Sequence, residues 1–261
     1  MDFFVVTLAA LLAAALTLFS GFGLGTLLMP VFAIFFPLPV AVAATAVVHL
    51  ANNLFKLALT ATNADWRVAI HFGIPAALAA LAGAALLQMA SALPVLSEYR
   101  LGERICQVTI LKLAMAAVII GFAARELHPR WSQMAFDAKW LPWGGVLSGF
   151  FGGLSGHQGA LRSAFLLRAG LSKEAFIATG VVGAVIVDTV RLGVYGAGFY
   201  RGLFVLLDPQ AWALVGAASS AAFLGSLLGA KLVVQVTLRK AQVGTAGLLA
   251  MLAIAMGVGL V

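Results

Sequence analysis

Apolar positions come in long blocks separated by short polar punctuation, and the block lengths are those of membrane segments. The first block runs from Phe3 to Phe36, 34 residues. That is too long for one span of about 20 residues and short for two spans with a turn. Ser20-Gly21-Phe22-Gly23-Leu24-Gly25 sits in its middle, where glycines at Gly21, Gly23 and Gly25 break a helix. The pattern predicts a hairpin of two short arms. Pro37-Leu38-Pro39 then punctuates, and a helix is expected over 40–60. Asp65-Trp66-Arg67 marks an interface before a span at 68–90 that contains Pro75, a candidate kink. A polar loop at 91–103 and a span at 104–124 follow.

Residues 125–140 form the longest charged connection, holding Arg125, Glu126, His128, Arg130, Asp137 and Lys139. It divides the chain into a first repeat at 1–124 and a second at 141–261. The second half repeats the plan: a broken hairpin over 141–168, a helix over 172–195 opened by the polar turn Ser172-Lys173-Glu174, and spans at 210–231 and 241–260. The echo extends to residues. Leu147-Ser148-Gly149-Phe150-Phe151-Gly152 resembles Phe19-Ser20-Gly21-Phe22-Gly23-Leu24, and each is followed by a helix with Thr near its start and a cation near its end. Those residues are Thr45 and Lys56 in one half, Thr179 and Arg191 in the other.

Composition agrees with the pattern. The chain is 63% hydrophobic and 10% charged, too few charges to cover a water-soluble fold. The net charge of +7 is scattered singly, with no basic run or aromatic-basic stripe, so no nucleic-acid partner is expected. A single cysteine, Cys106, leaves no internal disulfide and no cysteine metal site. Nothing in the sequence calls for a metal or a cofactor. Asp2 precedes the first apolar run with no Lys or Arg, which favours a first membrane segment over a cleaved signal peptide. Trp66, Trp131, Trp140, Trp143 and Trp212 all fall near predicted segment ends, as an interfacial aromatic belt requires.

Loop charges choose between two topologies. If each hairpin crosses only once, there are eight spans, and the loop Lys and Arg residues split seven against five. If each hairpin crosses and returns, there are ten segments. Arg67, Arg125, Arg130, Lys139, Arg168, Lys173, Lys231, Arg239 and Lys240 then oppose Arg100, Arg104 and Arg201. Nine against three is a positive-inside bias. The expectation is therefore an all-α polytopic membrane protein of two inverted repeats of about five segments, each opening with a Gly-broken hairpin. Both termini would be non-cytoplasmic.

Polar residues inside these segments carry the chemistry. His49, Asn52, Asn53 and Lys56 fall at i, i+3, i+4 and i+7, one face of a helix. Helix–helix hydrogen bonding and a snorkelling lysine are the bland explanations. Asp188 and Arg191, at i and i+3, form either a structural ion pair or a cation held for an anion with Asp188 as its partner. Gly153-Leu154-Ser155-Gly156-His157-Gln158-Gly159-Ala160-Leu161-Arg162 is a glycine-broken segment carrying His157, Gln158 and Arg162. Such a segment belongs in a bilayer only where it lines a cavity or meets a polar partner. Broken helices also expose N–H groups and the positive end of the helix dipole. Lys56, Arg162 and Arg191 against Asp188 leave a net positive site, so a small anion is the expected ligand, with bidentate Arg suited to paired oxygens. His49 and His157 fit either proton coupling or neutral hydrogen bonding. Thr45 and Thr179 could donate hydroxyl hydrogen bonds, although mid-helix threonines more often bond their own backbone. Lys112 stands alone.

These paired motifs resemble the sulfite exporter TauE/SafE family, also called the 4-toluene sulfonate uptake permease family, over essentially the whole chain. There each half opens with a Gly-rich turn followed by Pro, then a helix beginning A-x-x-T. Here the first half supplies Ser20, Gly21, Gly23, Gly25, Pro30 and Ala41 to Thr45, and the second Ser148, Gly149, Gly152, Gly153, Gly156 and Ala175 to Thr179. The chain departs from the pattern at Gly156 to Arg162, where a plain Gly-Gly run and a Pro are usual. The resemblance implies a multi-pass protein of a bacterial inner membrane that moves sulfite or an organosulfonate, most often outward. No P-loop motif is present to drive it with ATP. Two other readings use the same residues: an anion channel, and an intramembrane serine hydrolase built on Gly153-Leu154-Ser155-Gly156 with His49 or His157 as base. The partners expected are a small anion and the lipid bilayer. A homo-oligomer is compatible with this plan.

Overall fold

A computed structural model describes residues 2–17, 24–102, 104–132, 134–199, 209–232 and 238–260. Ser20, Gly21, Gly23, Glu103, Arg201 and Asp208 lie outside these ranges. The described residues are 82% helical. In order it forms α1 (Asp2–Thr17), α2 (Leu24–Ala33), α3 (Leu38–Thr60), α4 (Trp66–Ser91), the strands β1 (Val95–Leu101) and β2 (Arg104–Thr109), α5 (Ile110–Leu127), the short α6 (Pro129–Ser132), α7 (Leu141–Ser155), α8 (Gly159–Leu166), α9 (Lys173–Phe199), α10 (Pro209–Leu232) and α11 (Leu238–Gly257). Among the described residues, four helical stretches are long and apolar enough to cross a membrane: Leu38–Asn63, Trp66–Ser91, Lys173–Ala197 and Pro209–Gly229.

The helix starts follow their capping residues. Asp65 accepts the Val68 N–H at 3.0 Å to open α4, and Thr109 accepts the Lys112 N–H at 3.1 Å to open α5. Ser172 accepts the Ala175 N–H at 3.2 Å at the head of α9. All five tryptophans are exposed near helix ends, and the outer faces carry Leu78, Leu81, Met89, Leu224 and Ile254 in the open. In a bilayer this is the lipid-facing side.

One element departs from the all-helical expectation. Val95–Leu101 and Arg104–Thr109 pair as an antiparallel hairpin, with Tyr99 opposite Cys106 and Leu101 opposite Arg104. Gly102, at φ +63°, provides the left-handed turn that other residues adopt only with strain. The polar loop and the first turns of the 104–124 span are thus strands, and the helix starts at Ile110. The β-branched residues Val95, Ile105, Val108 and Thr109 favour this. Their apolar character hides them beside α5, where a hydropathy reading merges Ile105 to Leu113 into one run.

The most extensive packing joins the two sides of the 125–140 connection: α4 lies along α7, and α1 along α10. Both contacts are made by glycine against backbone. On α7, Gly145, Gly149 and Gly153 face the carbonyls of Phe72, Ala76 and Ala80 so closely that a Cβ would overlap them. On α10, Gly225 and Gly229 meet the carbonyls of Leu11 and Ala15 in the same way. Where lipid is as apolar as leucine, close backbone approach of this kind is a main source of helix association. Helices α3 and α9 pack together between these two seams, and α5 lies on α11.

Candidate functional site

The second glycine break is fully described, and it organises the polar residues. Helix α7 ends at Gly156, whose φ of +82° is the left-handed C-terminal turn that glycine adopts without a Cβ penalty. Its N–H returns to Gly152 O at 3.0 Å. The last carbonyls of α7 are then met by side chains of α9. Arg191 Nη1 donates to Gly152 O at 3.1 Å, and Tyr195 donates its hydroxyl hydrogen to Gly153 O. A guanidinium at a helix C-terminus answers both the orphan carbonyls and the negative end of the dipole. After His157 and Gln158 the chain re-enters helix as α8, and Ser148 Oγ of α7 donates to Gln158 O at 2.9 Å, tying the two pieces together.

Asp188 of α9, fully buried, is the hub. His49 Nδ1 of α3 donates to its Oδ2 at 2.6 Å. Gln158 Nε2 donates to Oδ1 at 2.8 Å, and Arg191 Nε donates to the same oxygen at 3.0 Å. Arg162 Nη1 of α8 donates to Gln158 Oε1 at 3.1 Å. The aliphatic part of Arg162 lies over Gly183 of α9, whose missing Cβ leaves the space it occupies. Asn53, one turn beyond His49, donates to His49 O at 2.9 Å and lies 3.1 Å from His49 Nδ1. His49, Asn53, Gln158, Arg162, Asp188 and Arg191 are thus one buried network joining α3, α8 and α9. Two guanidiniums stand against one carboxylate.

The remaining site candidates are placed differently. Asn52 turns towards α10 and Lys56 bonds to Asn52. In the orientation that satisfies its neighbours, the Asn52 amide donates to Ser226 Oγ at 2.8 Å and Ala222 O at 3.3 Å, while its oxygen accepts from Lys56 Nζ at 3.2 Å. His157 stacks on Phe122 of α5, with ring centroids 5.4 Å apart, and its Nδ1 lies 3.0 Å from Ser155 O. Gly25, at the head of α2, faces both glycine break and histidine: a Cβ there would sit 3.2 Å from Gly156 O and 3.6 Å from the His49 ring. The start of α2 therefore meets the gap between α7 and α8. Gly153 belongs to the α4–α7 seam as well as to the break. Ser155 Oγ donates to Phe151 O at 3.0 Å, and His49 is engaged with Asp188 rather than Ser155. Thr179 accepts the Asp65 N–H at 3.0 Å, and Lys112 Nζ donates to Gln107 O at 3.0 Å. A surface groove between α4 and α9, lined by Leu81, Gln88, Thr189, Val190, Gly193, Val194 and Ala197, carries no charged side chain and none of the network. Among the described residues there is no group of His, Cys, Asp and Glu that could hold a metal.

Tyr195 and Ser148 also bond to the break, through Gly153 O and Gln158 O, and neither is among the site candidates the sequence offers. Tyr195 lies at i+4 from Arg191, on the face that already carries Asp188 and Arg191, and that spacing is the signal that could have found it. Ser148 sits in the Ser-Gly motif, where the pattern shows a turn and not a donor to the second helix.

A helical protein with an apolar exterior, four membrane-length helices and a buried charged network at an interrupted helix belongs to the polytopic membrane proteins. The sulfite exporter TauE/SafE family model matches residues 6–256, and the chain belongs to that family, one of membrane transporters. No curated protein and no solved structure matches the chain.

Proposed function

We propose that this protein is a secondary transporter that moves a small sulfur-containing anion, sulfite or an organosulfonate, out across a bacterial inner membrane by alternating access. The network around Asp188 would be its binding site. The observation that carries this reading is the charge balance there. Arg162 and Arg191 oppose a single carboxylate in a buried, lipid-surrounded setting, where an excess charge is costly until a counter-charge arrives. An anion entering at the break supplies that charge, and planar guanidiniums suit its paired oxygens. The first-turn N–H groups of α8, which have no partners within the helix, face the same break and would add donors.

The reciprocal packing of α1 on α10 and α4 on α7 supports two repeats at 1–124 and 141–261 that exchange helices. Repeats in inverted orientation, with their broken helices meeting at the site, would give alternating access by rocking. The nine-against-three loop charges favour termini on the non-cytoplasmic side. Export of an anion from a negative interior is then favoured by about 2.3 kcal/mol per charge per 100 mV.

Counterflow of labelled sulfite, methanesulfonate and acetate in proteoliposomes tests the reading. Saturable exchange of the sulfur anions, sensitive to an imposed potential, is expected. Exchange of acetate alone would discard the sulfur substrate while keeping the carrier. Conductance without saturable counterflow would make the protein a channel.

A further inference from the structure

Buried polar atoms left without hydrogen bonds mark what a site is waiting for, because leaving them unmet is unfavourable. His157 Nε2 is one, in a ring 2% exposed. Its chemistry is fixed by the other edge of the ring. Nδ1 lies 3.0 Å from Ser155 O, which can only accept, and 3.1 Å from Ser155 Oγ, whose hydrogen goes to Phe151 O. Nδ1 therefore carries the ring hydrogen, and in the neutral imidazole Nε2 presents a lone pair. Stacking on Phe122 at 14° between planes sets the ring plane, and Nε2 has no protein donor within hydrogen-bond reach. The charged group acting on this ring is Arg191 of α9. Phe122 of α5 and Ser155 of α7 are neutral.

Two further unmet atoms belong to the same region. Arg191 Nη2 stands 2.7 Å from Asp188 Oδ1 as an ion pair but without the alignment of a hydrogen bond. Its sister atom Nη1 approaches Gly156, the residue before His157, to 3.0 Å of where a Cβ would be. Thr45 Oγ1 is buried without a partner one turn before His49, where a mid-helix threonine would ordinarily bond back to its own helix. The unmet set is a cationic donor, a hydroxyl and one fixed acceptor.

We propose, building on the transport reading above, that His157 Nε2 accepts a hydrogen bond from the substrate. The site then selects anions that carry an O–H group over isosteric anions that lack one. Either a hydroxyl on the organic tail of a sulfonate or a proton retained on the oxyanion head meets this requirement. Arg191 and Thr45 serve the anionic oxygens, and His157 reads the donor. A simple anion offers only acceptors and leaves Nε2 bare.

Isethionate and 1-propanesulfonate differ by O–H for CH3 and test this at fixed pH. In competitive counterflow, wild-type protein is expected to prefer isethionate by about tenfold or more in half-saturating concentration, since a site built around a hydrogen bond rejects the analogue that lacks it. In His157→Phe, which keeps a ring for Phe122 and removes the acceptor, the ratio is expected to fall to about one. His157→Gln, which restores an acceptor, is expected to regain part of it, and carries the test if the Phe variant fails to fold. Competition by sulfite, run below and above the ionisation of hydrogensulfite, separates the two sources. A clear gain on the acid side places the donor on the head group, and equal competition places it on the tail. Equal use of isethionate and propanesulfonate by the wild type together with sulfite competition that is the same on both sides of the hydrogensulfite ionisation, or a preference that survives His157→Phe, overturns the inference and leaves the carrier standing. Failure of the wild type to exchange any sulfonate or sulfite removes the transport reading and this inference with it.

Discussion

The seam between α4 and α7 and the network between α3, α8 and α9 lie beside each other and are held by opposite means. In the seam, glycines lie against bare carbonyls, with no side chain between two backbones. In the network, helices are held apart by side chains, and contact runs through His49, Gln158 and Arg191 to one carboxylate. Helix α7 belongs to both. Its glycine face fixes it on α4, and its last carbonyls, at Gly152 and Gly153, are handed to Arg191 and Tyr195. A broken helix in a membrane needs a rigid backing for its first piece and polar partners for its ends. Here the two needs are met on different faces.

Substitutions should therefore separate the regions. The largest effect is expected from Asp188→Ala. It leaves Arg191 buried without its carboxylate and breaks the links to His49 and Gln158, a loss of about 3–5 kcal/mol. Thermal unfolding of the purified protein in detergent would read it, with substrate binding lost as well. Gly149→Ala should be smaller, about 1–3 kcal/mol from overpacking against Ala76. It should lower the unfolding temperature with the polar residues of the network unchanged in identity. A substrate affinity that falls while stability holds would contradict the assignment of Gly149 to the backing. Tyr195→Phe removes one hydrogen bond to Gly153 O and should cost about 1 kcal/mol. Gly216→Ala, in mid-α10 with nothing within 4 Å of the added Cβ, should raise stability by about 0.5–1 kcal/mol through helix propensity alone.

The long helices were legible in the sequence. Blocks at 40–60, 68–90, 172–195 and 210–231 became α3, α4, α9 and α10 with ends shifted by a few residues, because apolar length and Ser, Asp and Pro punctuation are local properties. The β-hairpin was not, since a strand of apolar residues next to an apolar helix has no boundary in hydropathy. Within the site, the stripe from His49 to Lys56 was visible as a face. Its division was not. Spacing places Asn52 and Asn53 side by side, and only the neighbours decide that Asn53 turns to His49 while Asn52 turns to Ser226 on α10 and takes the Lys56 ammonium on its oxygen. The spacing of Asp188 and Arg191 fits either an ion pair or an anion site. The geometry gives the pair directly, and the anion-binding role rests on what Arg162 adds to it. The seam was open to reading, as Gly145, Gly149 and Gly153 recur every four residues, the small-residue spacing of close membrane helices.

The central claim is that an anion binds at the break between α7 and α8. Equilibrium binding of labelled sulfite to purified wild-type protein and to Arg162→Gln tests it most directly. The account predicts saturable binding by the wild type, weakened about tenfold or more in the variant at similar unfolding temperature. Equal binding by the two proteins would place the anion elsewhere and contradict it.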